Sequence, residues 1–385
     1  MKIVEVKTKS QLRTFIDFPH DLYASDPNYV PELYLSQKEL LSSSKNPFFQ
    51  HSKLSLFLAL DAKGTILGRI AAIRNNKYIE FSERAAGFFG FFDVVENYEV
   101  AELLFQRAEH WIKEEGLEYI IGPANPTSND TMGILVKGYD RPPIFQMTYN
   151  KPYYVDFLAR YGFEKGMDIL AYWVTKETIN RKALRIADAF EKRLNNKGIT
   201  FRTVKLKNFK EEAKAIKSVY QKAWDKNWGF VPPTDEEFDF LADGLKLVVD
   251  QDLVILAEKE GQPIGFALAL PDINQVAINM RKGRLLPFGI FKLLLGKKKI
   301  NVLRIILLGV VEEYRKMGIE AIFYAHIISN GLKKNYVAAE ASWILENNKM
   351  MNQGLINLNA EAYKRYRIFE KKVDIVQAKQ VTATV

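Results

Sequence analysis

Arg304-Ile305-Ile306-Leu307-Leu308-Gly309-Val310-Val311, then Glu312-Glu313-Tyr314-Arg315-Lys316-Met317-Gly318, then Ile319 to Lys333: the reading of the whole chain turns on this run. The first part is an apolar β-type stretch and the second a polar turn. In the third, Ile319, Ile322, Phe323, His326, Ile327 and Leu332 recur at helical spacing. Strand, turn and helix in this order make an anion site. The first amides of a helix have no internal partner, and the helix dipole puts partial positive charge there. Gly318 lets the backbone approach a ligand closely, and Arg315 and Lys316 add charge.

With Arg315 and Gly318 placed between a strand and a helix, the segment resembles the Q/R-x-x-G-x-G/A cofactor loop of the GNAT superfamily of acyl-CoA-dependent N-acyltransferases. There the motif follows the fourth strand and its amides hold the CoA pyrophosphate. The resemblance implies acetyl-CoA or another acyl-CoA as cosubstrate. It assigns the binding of that cosubstrate to Val310, Val311, Arg315, Lys316, Met317, Gly318 and Ile319. Glu320 departs from the pattern, since the family usually has Gly or Ala there.

The 385 residues fit two domains, and 48% hydrophobic with 26% charged residues is a globular composition. With no cysteine, disulfides, thiolate nucleophiles and Cys-based metal sites are excluded. The four histidines, His20, His51, His110 and His326, lack metal-pair spacing, so no metal site is expected. The start, Met1 to Val6, reads as a first strand, and no run has the roughly 18 apolar residues that span a bilayer. A cytoplasmic location is the expectation. The net charge of +9 is compatible with an anionic partner, although the lysines are spread along helices.

Outward from the opening run, the chain reads as two copies of one order. In the first copy Leu54–Leu60 and Ile66–Ile73 form a hairpin about Asp61-Ala62-Lys63-Gly64. A strand at Gly87–Asp93, a helix at Val100–Glu115 and a strand at Tyr119–Gly122 follow, then a helix at Pro152–Tyr161 and a strand at Phe163–Val174. Residues 176–198 form a charged helical linker. The order then restarts with a strand at Thr200–Val204, helices at Phe209–Trp224 and Asp235–Val249, and a hairpin about Lys259-Glu260-Gly261-Gln262. Val94-Val95-Glu96-Asn97-Tyr98 matches Val310-Val311-Glu312-Glu313-Tyr314, and each precedes a helix. Only the second copy carries Arg315-Lys316-Met317-Gly318. The fold class expected is α/β (α+β): two tandem GNAT-like domains, each a mixed, mostly antiparallel sheet flanked by helices. Residues 1–175 form the first domain, without the phosphate loop, and 199–385 the second, with the candidate CoA site.

Phe157 to Lys165 is similar to the family's late F-x-x-x-G-F corner. Asn227–Pro232, Ser342–Asn348 and Tyr363–Lys371 resemble a little-characterised group of bacterial tandem GNAT-like proteins. The resemblance implies direct attack of an amine on a thioester. A fourth-strand amide near Val310 polarises the carbonyl, a carboxylate takes the amine proton and a tyrosine protonates the leaving thiolate. Glu340 lies in the proposed fifth strand, Val337–Trp343, as a candidate base or a solvent-facing residue. Glu346 lies just beyond it as a second base or part of a helix N-cap region. The family's usual late tyrosine position holds Leu355, which leaves Tyr363 and Tyr324 as substitute acids or as packing residues. The aromatic-rich loop Lys222 to Pro233, with Trp224, Asn227, Trp228 and Phe230, is a candidate acceptor wall together with Trp343 and Asn347. The polar loop Gly122–Asp130, with Arg141, Tyr149 and Asn150, is a candidate for the same pocket from the first domain.

Arg281 to Ile300 is a basic-apolar insertion, either a lid helix or a contact for a membrane surface or lipid chain. The acceptor is therefore expected to be a small-molecule amine or a lipid-linked substrate. An alternative is a Fem-like transferase taking its group from charged tRNA, and another a non-catalytic ligand-binding protein; nucleic acid is otherwise not an expected partner.

Overall fold

The computed structural model describes residues 1–224, 227–285 and 289–373. Asp225 and Lys226 of the aromatic loop, and Leu286-Pro287-Phe288 of the insertion, lie outside the described residues. The first half runs β1 (Lys2–Glu5), α1 (Lys9–Leu22), α2 (Tyr34–Leu40), β2 (Lys53–Leu60), β3 (Ile66–Arg74), α3 (Asn76–Ser82), β4 (Ala86–Val94) and α4 (Tyr98–Glu114). It continues through β5 (Tyr119–Gly122), β6 (Ala124–Asn125), β7 (Thr131–Met132), β8 (Ile134–Lys137), α5 (Tyr153–Arg160) and β9 (Glu164–Thr175). After α6 (Arg181–Asn195) come β10 (Ile199–Thr203), α7 (Phe209–Ala223), α8 (Asp235–Leu245), β11 (Val254–Lys259), β12 (Gln262–Pro271), α9 (Asn274–Ala277) and α10 (Gly289–Gly296). The chain closes with β13 (Val302–Val310), α11 (Ile319–Lys333), β14 (Ala338–Leu345), α12 (Lys349–Asn357) and β15 (Glu361–Lys372).

The main sheet is continuous, in the order β1-β2-β3-β4-β5-β15-β9-β14-β13-β12-β11-β10. It is mixed and mostly antiparallel, with parallel pairs at β4–β5 and β13–β14. The two halves repeat about its centre and exchange their last strands. β15 pairs with β5 of the first half, and β9 pairs with β14 of the second. Tyr363 to Lys371 carried no strand assignment in the sequence reading. Its Lys364, Tyr366 and Ile368 are buried in alternation, a period-2 pattern masked by Arg365 and Arg367 between them and by the charge of Lys364 itself. Thr234 caps α8, accepting from the Glu237 amide at 3.2 Å, while Glu237 reaches back to Thr234. That helix ends at Leu245 and does not run on to Val249; Gly244 in its last turn lowers its propensity.

The parallel pairing of β13 with β14 covers only Val302–Ile305 against Ala338–Ala341, and beyond it the strands part. At this point β13 has a register break: Leu268 faces Leu307 and Ala269 faces Ile305, so Ile306 is unpaired. The gap between these strands is the feature around which the candidate site is built.

Candidate active site

Behind the gap lies a cavity of about 280 Å³. Ile306 and Leu307 of β13, Trp343 and Leu345 of β14, the inner faces of α7 and α8, and Asn129, Asp130 and Met132 of the first half line it. Trp224, Asn227, Trp228 and Phe230 also line it, so the aromatic loop and Trp343 converge from separate parts of the chain. Trp224 lies against β13 where Gly309 has no side chain; a Cβ there would come within 2.3 Å of the indole. Asn347 is not among the lining residues and sits in the exposed turn after β14.

Two charged groups on the wall are arranged for chemistry. The carboxyl of Asp130 accepts from the Thr127 hydroxyl at 2.7 Å and the Thr127 amide at 3.2 Å, and burial pushes it up to about 7. Arg304, 2% exposed, donates from Nε to Ser342 Oγ at 3.0 Å and from one terminal nitrogen to the Phe145 carbonyl at 2.8 Å. Burial lowers its guanidinium to about 10, so it stays charged. Its other terminal nitrogen has no acceptor among the described residues. Glu212, also on the wall, is engaged by Arg202 at 2.8 Å.

Glu340 is fully buried and does not line the cavity; it stands one hydroxyl behind it. Ser342 donates to one carboxylate oxygen at 2.6 Å and Tyr363 donates to the other. Burial and the neighbouring carboxylate hold the Tyr363 phenol far above its usual range, so it remains a donor. Asp272, pushed up to about 7 by burial, accepts from the Phe145 amide at 2.9 Å, and burial lowers Lys364 to about 8, where it donates to the Arg141 and Pro142 carbonyls at 2.8 Å. These polar groups grip the 141–145 loop of the first half against the second. Glu346 is occupied elsewhere, with Lys165 at 2.7 Å and the Asp168 amide at 3.1 Å, and so fastens the end of β14 to β9.

The anion loop has the expected backbone. Gly318 (φ +91°) is the N-cap of α11 without a side-chain cap, and Lys316 is left-handed (φ +65°) and exposed. Ile319 is fully buried, so only its amide can face a ligand, and Met317 is half-buried. Arg315 turns inward, donating to the Val310 carbonyl at 3.1 Å and the Ala223 carbonyl at 2.8 Å; it ties the end of α7 to β13. The Val311 amide donates to Ile264 at 2.9 Å. Amides alternate in direction along a strand, so that of Val310 points to the opposite side, into the gap. Open amides, Gly318 and Lys316 fit a pyrophosphate. Burial pushes the Glu320 carboxyl in the first helical turn upward, which brings it closer to the neutral form that a phosphate tolerates. The first half's counterpart of the strand gap, rather than of this loop, is filled. There the Phe91 amide donates to the Asn125 side chain at 2.6 Å, and a Cβ at Gly90 would meet the Ala124 carbonyl at 1.8 Å.

No family model matches the chain. Over 374 residues it is 36% identical to Protein YghO of Escherichia coli K12, covering 95% of this chain and 94% of that protein. Over 378 residues it is 33% identical to a bacterial ceramide synthase of Caulobacter vibrioides, covering 96% and 97%. The chain belongs to their family. Its fold is that of tandem GNAT proteins: one from the clavulanic acid biosynthesis pathway superposes with a TM-score of 0.58 at 10% identity, over 97% of this chain and 98% of that one. Among the described residues no helix is long and apolar enough to cross a membrane.

Proposed function

We propose that this tandem GNAT protein is an acyl-CoA-dependent N-acyltransferase whose acceptor is a long-chain amine. The observation that carries the reading is the cavity itself: a largely apolar and aromatic chamber at the strand gap, with the Arg304 guanidinium and the Asp130 carboxyl on its wall, the second wall carboxyl, Glu212, being paired with Arg202. Such a chamber suits an alkyl chain that ends in an amine and hydroxyls. A relative that bears the name ceramide synthase supports it, because a ceramide is the amide of a fatty acid with a long-chain amino alcohol.

A bound acyl-CoA supplies the thioester, with its pyrophosphate on the amides at 316–320. The Val310 amide donates to the carbonyl oxygen as negative charge develops on it. The amine attacks that carbon, its proton passes to Asp130, and the C–S bond breaks to release the thiolate, which solvent protonates. A carboxyl near 7 is matched to this transfer at neutral pH. Arg304 disfavours the ammonium form of a neighbouring amine, and its remaining nitrogen donates to a hydroxyl of the acceptor. Glu340 and Tyr363 act as positioning residues: they hold Ser342, which holds Arg304.

Binding tests the reading. Three of the five tryptophans line the cavity, so a long-chain amino alcohol should change the intrinsic fluorescence, and CoA should raise the melting temperature. Absence of both responses, with salt-sensitive binding of tRNA in their place, would transfer the argument to the tRNA-dependent alternative.

A further inference from the structure

On the surface beside the cavity, α10 exposes what a globular protein normally covers. Phe291 is 61% exposed, Leu294 62% and Leu295 74%, with Leu247 nearby in sequence space to the cavity wall at 84%. Lys297 donates to the Leu247 carbonyl at 3.2 Å, which joins the end of α10 to the segment after α8. Around α10 the charge is of one sign; on the Leu247 side the flanking carboxylates are the exposed Asp243 and the half-buried Asp250, the latter paired with Lys334. Residues 281–300 contain seven Lys and Arg and no Asp or Glu. Lys282 and Arg284 are held by Asp21 and Asp17. Lys292, Lys297, Lys298 and Lys299 remain exposed around the apolar residues.

We infer that α10 and Leu247 form a docking surface for an anionic lipid bilayer. Exposed leucines and a phenylalanine ringed by lysines match an interface that is apolar below and negatively charged at the headgroups. A second copy of this chain is a poor occupant, because a two-fold contact would set the same lysines against each other. The patch also adjoins the cavity. Leu245 and Val249 line the chamber while Leu247, between them, faces outward beside Lys297. One segment therefore touches both the proposed bilayer and the chamber, which gives a lipid acceptor a short route inward. The docking surface stands on its own residues and holds whether or not the reaction proposed above is correct.

The test uses the full chain and vesicles, with no turnover measurement. The chain has no cysteine, so Leu294→Cys carries a single environment-sensitive fluorophore. Phosphatidylcholine vesicles with half phosphatidylglycerol should sediment the protein and shift the label to the blue; pure phosphatidylcholine should do neither. Reversing Lys297, Lys298 and Lys299 to Glu should weaken binding by at least on the order of 10²-fold. Phe291→Ser with Leu295→Ser should abolish the blue shift with the melting temperature unchanged. Equal vesicle binding by wild type and both variants overturns the inference. So does a blue shift that follows protein concentration without lipid, accompanied by a dimer in sedimentation, which would make a second copy the occupant.

Discussion

Asp130→Asn separates what the cavity carboxyl does for chemistry from what it does to stability. The folded carboxyl titrates at about 7 because burial disfavours its charge, against an ordinary value of 3.8. Between those values the folded state holds the proton more tightly than the unfolded state. Stability therefore falls as pH rises from about 4 to about 7, and above that the ionised carboxyl is a constant cost. The gap corresponds to ~4 kcal/mol at ~1.4 kcal/mol per pH unit. Asp130 is only half-buried, so screening reduces this to roughly 2 kcal/mol. Asparagine keeps an oxygen for both Thr127 donors and carries no charge. The variant should be more stable than wild type by roughly 2 kcal/mol at pH 8 and equal to it near pH 4. For 385 residues unfolding together that is a rise of ~2–3 °C. In the same variant the N-acylation rate should fall ~10²- to 10⁴-fold, and the wild-type rise of kcat/KM through pH ~7 should vanish. Calorimetry and initial rates on one pH grid measure both. A variant no more stable at pH 8 than at pH 4, relative to wild type, refutes the held-up carboxyl. A stabilised variant with full activity refutes its role as proton acceptor.

The other predictions concern the loop, the wall and the buried network. Gly318→Asp should abolish the CoA-induced thermal shift, since it adds a carboxylate to the loop and a Cβ that would lie 2.6 Å from Phe190; Glu320→Gln should leave the fold intact and tighten CoA binding, and calorimetric titration of the two reads opposite signs. Trp228→Ala should raise KM for the acceptor with CoA affinity unchanged; loss of folding would instead make Trp228 a core residue. Glu340→Gln sets an NH₂ against one of two hydroxyl donors, so it should destabilise by ~1–3 kcal/mol and lower kcat through a misplaced Arg304. Full stability and activity in that variant would remove the network from the account.

Most of the longer strands and helices were legible from continuous apolar runs or helical spacing, and the repeat of Val94–Tyr98 at Val310–Tyr314 marks the ends of β4 and β13; the short α2, α3 and β8 carried no such signal. The exchange of β9 and β15 was not legible. Which sheet a strand joins depends on partners far away in sequence, and the pattern of β15 is interrupted by charge. The aromatic wall was readable from composition in one loop and proved to be one lining of one cavity. Arg304 and Asp130 were harder. Arg304 looks like the polar start of an apolar strand, and only its 2% exposure separates it from a surface arginine. Asp130 sits in a Ser/Thr/Asn-rich loop, where such residues usually make turns, and it does make one with Thr127. Glu340 was visible as a charge in an apolar strand, but sequence could not tell that Ser342 and Arg304 stand between it and the chamber.

The central claim is amide formation on a long-chain amine. Purified protein, a long-chain acyl-CoA and a long-chain amino alcohol give the direct measurement, with the amide quantified by mass spectrometry and the released thiol by a chromogenic reagent. The chain contributes no thiol background. The account predicts one amide per CoA released, dependence on both substrates, and a strong preference for the long-chain acceptor over a short amino alcohol. Thioester hydrolysis without amide, or equal rates with short and long acceptors, would contradict it.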